Sequence, residues 1–117
     1  MIDPVDSAAA PEVVWQLLRD EANEGVTAGQ AEILVEHPPR ELLIEVRMGV
    51  GFQVQHAYRI EPSAAGCRLS DQIRPLGWRW RLSNVFLFGR GLRPIEAAAH
   101  QGLLNLSRAA ASDDTHP

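Results

Sequence analysis

The sequence predicts an α+β domain, and two patterns carry the prediction. From Phe52 to Arg74, polar and apolar residues alternate with period two, interrupted once by the turn-like Pro62-Ser63-Ala64-Ala65-Gly66. That is the pattern of an antiparallel hairpin wetted on one face. From Ile95 onward, Ile95, Ala98, Ala99, Gly102, Leu103, Leu106 and Ala110 recur at helical spacing. They form the stripe of a long amphipathic helix whose small residues allow close approach to a sheet. The chain of 117 residues is long enough for one buried core and too short for two.

The elements follow in order. Ser7 is expected to cap a first helix, with Pro11 and Glu12 in its opening turn and Val13, Val14, Leu17 and Leu18 as its apolar stripe. Trp15 falls at the border of that stripe. Ala22–Gly29 is polar and glycine-punctuated and reads as loop. Ala31–Glu36 is a short strand closed by Pro38-Pro39, which cannot continue a ladder. Glu41–Met48 is the next strand, with Leu42, Ile44, Val46 and Met48 on one face. Gly49 and Gly51 turn the chain into the long hairpin. Its inward residues are Phe52, Val54, His56, Tyr58 and Ile60, then Cys67, Leu69, Asp71 and Ile73. Pro94 either begins the last helix or kinks one already under way. Residues 1–112 read as a single domain and 113–117 as a disordered tail. Four strands and one long helix make a two-layer α+β arrangement, the helix laid on the apolar sheet face.

Composition narrows the function classes. A formal net charge of −4 argues against general polyanion binding, and no nucleic-acid motif surrounds the arginines. The single cysteine, Cys67, excludes an intramolecular disulfide. His37, His56, His100 and His116 show no metal-ligand spacing, so neither metal nor cofactor is expected. Gly49-Val50-Gly51 and Gly89-Arg90-Gly91 complete no phosphate-binding fingerprint. The apolar runs are short for a membrane span and no signal peptide opens the chain, so a cytoplasmic location is expected. All eleven basic residues are arginine, a composition that fits a GC-rich genome better than any function.

Two places carry candidate chemistry. A turn centred near Ser63–Ala64 opposes Ile60 to Cys67, Tyr58 to Leu69, His56 to Asp71 and Val54 to Ile73, and directly opposed side chains interact. His56, oriented by Asp71 and backed by Tyr58, could then polarise a ligand carbonyl or move a proton. The plainer account, which carries more weight, is that the pair satisfies itself inside the sheet. Cys67 reads as a small buried hydrophobe. The second place is Gly77-Trp78-Arg79-Trp80-Arg81-Leu82 followed by Val85-Phe86-Leu87-Phe88. Tryptophans interleaved with arginines resemble an interfacial segment capable of transient membrane contact or of gripping an amphiphile's headgroup. A last strand and helix start, with tryptophans on the core, is the plainer and preferred account.

The motifs in sequence resemble a known family. They are Pro-Glu-Val-Val-Trp-x-Leu-Leu-x-Asp (Pro11–Asp20), Pro-Pro-Arg (Pro38–Arg40), His-x-Tyr-x-Ile-Glu-Pro (His56–Pro62), Gly-x-Arg-Leu-x-Asp (Gly66–Asp71) and a long final helix. This order resembles the START-like (SRPBCC) superfamily, which includes the pollen-allergen fold and bacterial polyketide cyclase/dehydrase-like proteins. The resemblance implies a helix-grip fold, a curved antiparallel sheet around a long carboxy-terminal helix. It also implies a cavity for a hydrophobic small molecule such as a lipid, polyketide or aromatic. The residues placed to line that cavity are Ile44, Val46, Met48, Phe52, Val54, His56, Tyr58, Leu69, Asp71, Ile73 and Trp80. The chain departs from the family pattern near its start: only six residues precede Ser7, and Ala22–Gly29 stands where further elements would lie, so either the start is late and the loop compressed, or the grip is shortened. Binding without catalysis is the leading expectation. A cyclase/dehydrase using His56, Asp71 and Tyr58, and an interaction module using Trp78–Phe88, are the alternatives.

Overall fold

The computed structural model describes residues 2–79 and 93–115. Among those residues it is an α+β fold in which one antiparallel sheet of five strands carries two long helices. The elements are β1 (Val5–Ser7), α1 (Pro11–Thr27), β2 (Ala31–His37), β3 (Glu41–Gly49), β4 (Phe52–Ser63), β5 (Gly66–Leu76) and α2 (Arg93–Thr115). Strand order is β1-β5-β4-β3-β2, so β2 to β5 form a meander and β1 returns to the far edge. The alternation predicted for the long hairpin holds: Val54 and Ile60, like Cys67, Leu69 and Asp71, are buried, whereas Arg59, Glu61, Arg68 and Gln72 are exposed.

Helix and sheet meet in one core. It contains Val14, Trp15, Leu18 and Ala22 of α1, Leu42 and Ile44 of β3, Ile60, Cys67 and Leu69 of the hairpin, and Leu103, Leu106 and Ala110 of α2. Trp15, placed by its spacing at the edge of the stripe, is only 9% exposed and belongs to this core.

Four expectations are corrected. Ser7 does not cap the helix; it ends β1 and pairs with Cys67. Its hydroxyl accepts from the Ala9 amide at 3.2 Å and donates to the Ser107 carbonyl at 3.4 Å. The cap position is Ala10, which has no side-chain bond to give, and Pro11 supplies the pre-set φ of the first turn. A three-residue strand leaves too little alternation to be read, so the sheet has five strands and not four.

Second, Ala22–Gly29 is not a loop, because α1 continues to Thr27. Ala22 still faces the core at 5% exposure. A Cβ on Gly25 would stand 3.0 Å from that of Ala31, so this glycine lets the helix lie close to β2. Third, α2 runs past the apolar stripe to Thr115, into the stretch read as a tail.

Fourth, the hairpin register differs. Ser63 pairs with Gly66, leaving Ala64–Ala65 as a two-residue loop. Tyr58 therefore opposes Asp71, His56 opposes Ile73, Ile60 opposes Leu69, and Val54 opposes Pro75. Gly66, at φ 145°, allows the tight turn that carries Pro62 and Ser63 on into β4. Moving the turn centre by one residue displaces every pair by two, which preserves the faces.

Candidate functional site

The site lies on the helix-facing side of the sheet, part-way along the hairpin from the core. His56 and Tyr58 are successive inward residues of β4, and their rings stack with centroids 5.5 Å apart and planes 8° from parallel. Asp71, inward on β5, sits opposite Tyr58 but bonds diagonally to His56: Nδ1 of the imidazole lies 2.8 Å from Oδ2. Since a carboxylate only accepts, Nδ1 carries the proton and donates. The expected pairing of His56 with Asp71 is thus made, though by a diagonal contact and not by direct opposition.

The two partners are unequally buried. The Asp71 side chain is 1% exposed and that of His56 16%. The second carboxylate oxygen of Asp71, Oδ1, is buried and has no hydrogen-bond partner among the described residues. Nε2 of His56 likewise makes no hydrogen bond there. The phenol of Tyr58 is held well above its usual range, by burial first, then by the Asp71 carboxylate and more distantly by Glu21. The Cys67 thiol, buried beyond Asp71 toward the hairpin turn, is also pushed up, by burial ahead of Asp6 and Glu12. That disfavours the thiolate and a nucleophilic role.

The other residues expected to line a cavity divide into three groups. Ile44, Val54 and Leu69 are buried, and Ile44 and Leu69 belong to the main core. Val46, Phe52 and Ile73 are half-buried on the same side as His56. Met48 is 54% exposed, because it lies at the end of β3, beside the turn, where the register shifts. Trp80, with Val85–Phe88 of the apolar cluster, lies outside the described residues. Trp78 and Val50 are exposed, and the Arg79 guanidinium stands over the rings of both Trp78 and Phe52.

One cavity of about 1060 Å³ adjoins this group. Tyr58, Asp71 and Ile73 line it, together with Ile2, Pro4 and Glu96. Most of its remaining wall is the opposite face of the sheet, including Leu43, Gln55, Ala57, Arg59, Gln72 and Arg74. β1 covers the β5 edge only along Cys67–Leu69, so the edge is unpaired by β1 from Asp71 onward and both faces of β5 can share one concavity. The sequence reading missed these outer-face residues. Alternation marks Gln55, Gln72 and Arg74 as solvated, and nothing in their spacing shows where the edge opens.

The described residues contain no group of three or more histidine, cysteine, aspartate or glutamate side chains placed to hold a metal. No described helix is long and apolar enough to cross a membrane. Fold and site together define an α+β domain with a polar cluster set into the buried face of its sheet. Comparison with protein-family models, with curated proteins and with solved structures gives no match.

Proposed function

We propose that the chain is a helix-grip-type binding domain that takes a hydrophobic small molecule on the helix-facing side of its sheet. One observation carries this reading. A largely apolar face holds, beside His56 and the half-buried Tyr58 and Ile73, a buried carboxylate with one oxygen unbonded among the described residues. Binding sites join apolar walls to a few placed polar groups in this way. The order of motifs and the packing of α2 on the sheet support the helix-grip assignment. Native mass spectrometry of protein purified from its own host tests the reading: a co-purifying lipid, polyketide or aromatic is expected. Recovery of ligand-free protein, together with no measurable binding of naphthalene-sized probes, would remove it.

A second reading has its own observation. With Nδ1 committed to Asp71, Nε2 of a neutral His56 would be an acceptor without a partner among the described residues, the arrangement of an oriented general base. It would abstract a proton in a cyclisation or dehydration. Exchange of an acidic C–H in a bound ketone, followed by deuterium incorporation, separates the two. His56-dependent exchange supports the enzyme, and exchange no faster than in His56→Gln leaves the binding domain.

A further inference from the structure

We infer that the molecule held on this face carries a hydrogen-bond donor, a hydroxyl or amine on an apolar skeleton, which closes on Oδ1 of Asp71. The inference rests on the binding reading above and adds the chemistry that the ligand must bring. Asp71 is deeply buried, yet among the described residues only Oδ2 is bonded. A carboxylate with one oxygen left dry is costly, and native interiors almost always answer such a group with a donor.

The nearest protein candidates are already committed or turned away. His56 spends its Nδ1 proton on Oδ2. Tyr58 is opposite Asp71 in register, but its ring lies parallel to the imidazole and it makes no bond to the carboxylate. The cavity lining includes Asp71, Tyr58 and Ile73, but Oδ1 itself is covered, so a guest closes on it only by shifting the side chains over it. The unanswered group among the described residues is therefore an acceptor, and a ligand offering only carbonyl or ether oxygens would leave it unpaired.

A matched pair of probes tests this on the wild-type protein: 2-naphthol and 2-methoxynaphthalene, which share a ring system and differ in the donor. Affinities come from calorimetric titration, and the His56 imidazole resonances report whether the probe sits at this site. Wild type is expected to favour 2-naphthol by about tenfold or more, the usual weight of a hydrogen bond to a charged group. In Asp71→Asn the amide oxygen can keep the bond from His56, which puts an –NH2 donor where Oδ1 was. The preference should then vanish or invert.

Equal affinities in the wild type would overturn the donor requirement, with a water on Oδ1 as the remaining account, and would leave hydrophobic binding intact. A tenfold preference that moves no His56 resonance, or that survives Asp71→Asn in full, would overturn it as well. Binding of neither probe would overturn the donor inference and the binding reading together.

Discussion

Two stretches of the same sheet face, only a few residues apart, are built on opposite terms. Toward the hairpin turn, Ile60, Cys67 and Leu69 are at most 2% exposed and join Leu103 and Leu106 in an unbroken apolar core. Further along the same strands, the inward positions are His56, Tyr58, Asp71 and the half-buried Ile73, with the fully buried Val54 beyond them. The first stretch needs no explanation beyond burial of apolar area. The second has a buried carboxylate with one oxygen unbonded among the described residues, an arrangement that costs stability unless it is answered. On the proposed function, the contrast sets the stability of the fold toward the hairpin turn and the candidate chemistry further along the face.

The sharpest way to break the contrast is to truncate both ends equally. Leu103, 2% exposed, should lose about 2–5 kcal/mol on replacement by alanine. Ile73→Ala, at a half-buried position, should lose visibly less. Equilibrium urea unfolding measures both, and equal losses would mean that the far end is as much core as the near one.

A second experiment removes the polar group from the costly end. Asp71→Ala alone strands His56 without its partner and should cost about 1–3 kcal/mol. Replacing the pair together, as His56→Leu with Asp71→Val, should be neutral or stabilising by up to about 4 kcal/mol. Urea midpoints of the two proteins decide the matter. If the double replacement is as damaging as the single one, the pair serves structure and the functional assignment weakens.

The turn that sets the register offers a smaller, local effect. A Cβ on Gly66 would collide with the Ser7 carbonyl oxygen and come within 2.7 Å of the Ala8 carbonyl carbon, at a φ that other residues rarely adopt. Gly66→Ala should cost about 1–3 kcal/mol. The loss should appear as a lower thermal midpoint and as broadened amide resonances around Ser7–Ala9.

These positions also show what could be read from the chain. The faces of β3, β4 and β5 were legible because alternation survives any even change of register. The register itself was not, since Pro62-Ser63-Ala64-Ala65-Gly66 accommodates a longer turn as readily as the two-residue loop that forms. The contact between His56 and Asp71 survived the error only because diagonal neighbours across a hairpin remain within reach of a long side chain. β1 was hidden by its length. The carboxy-terminal half of α1 was hidden by Gly25 and Gly29, which read as loop signals although the first answers to close packing against Ala31. The cavity was hidden for a different reason: it depends on how far β1 runs along β5, a tertiary fact that local pattern does not hold.

The smallest expected effect appears only in alkali, and Tyr58 carries it. The phenol is raised by burial and by the nearby Asp71 carboxylate, whereas in the unfolded chain it titrates near the ordinary value of about 10. Below that pH both states hold the proton, and the contribution of Tyr58 is fully present. As pH rises past about 10 the unfolded phenol ionises while the folded one does not, so ionisation favours unfolding and stability falls until the folded pKa is reached. Tyr58→Phe should change stability at neutral pH by less than about 1 kcal/mol, since the hydroxyl makes no hydrogen bond among the described residues. It should also flatten the alkaline decline. The residual slope belongs in part to Cys67, whose thiol is raised as well and is unchanged in the variant. Because the chain has a single tyrosine, tyrosinate absorbance reports this residue alone. Asp71→Asn should bring its titration to lower pH, because the carboxylate that helps to raise the phenol is gone. A tyrosinate titration near 10 in the folded wild type would show the ring open to water, and the polar end of the face would then be ordinary surface.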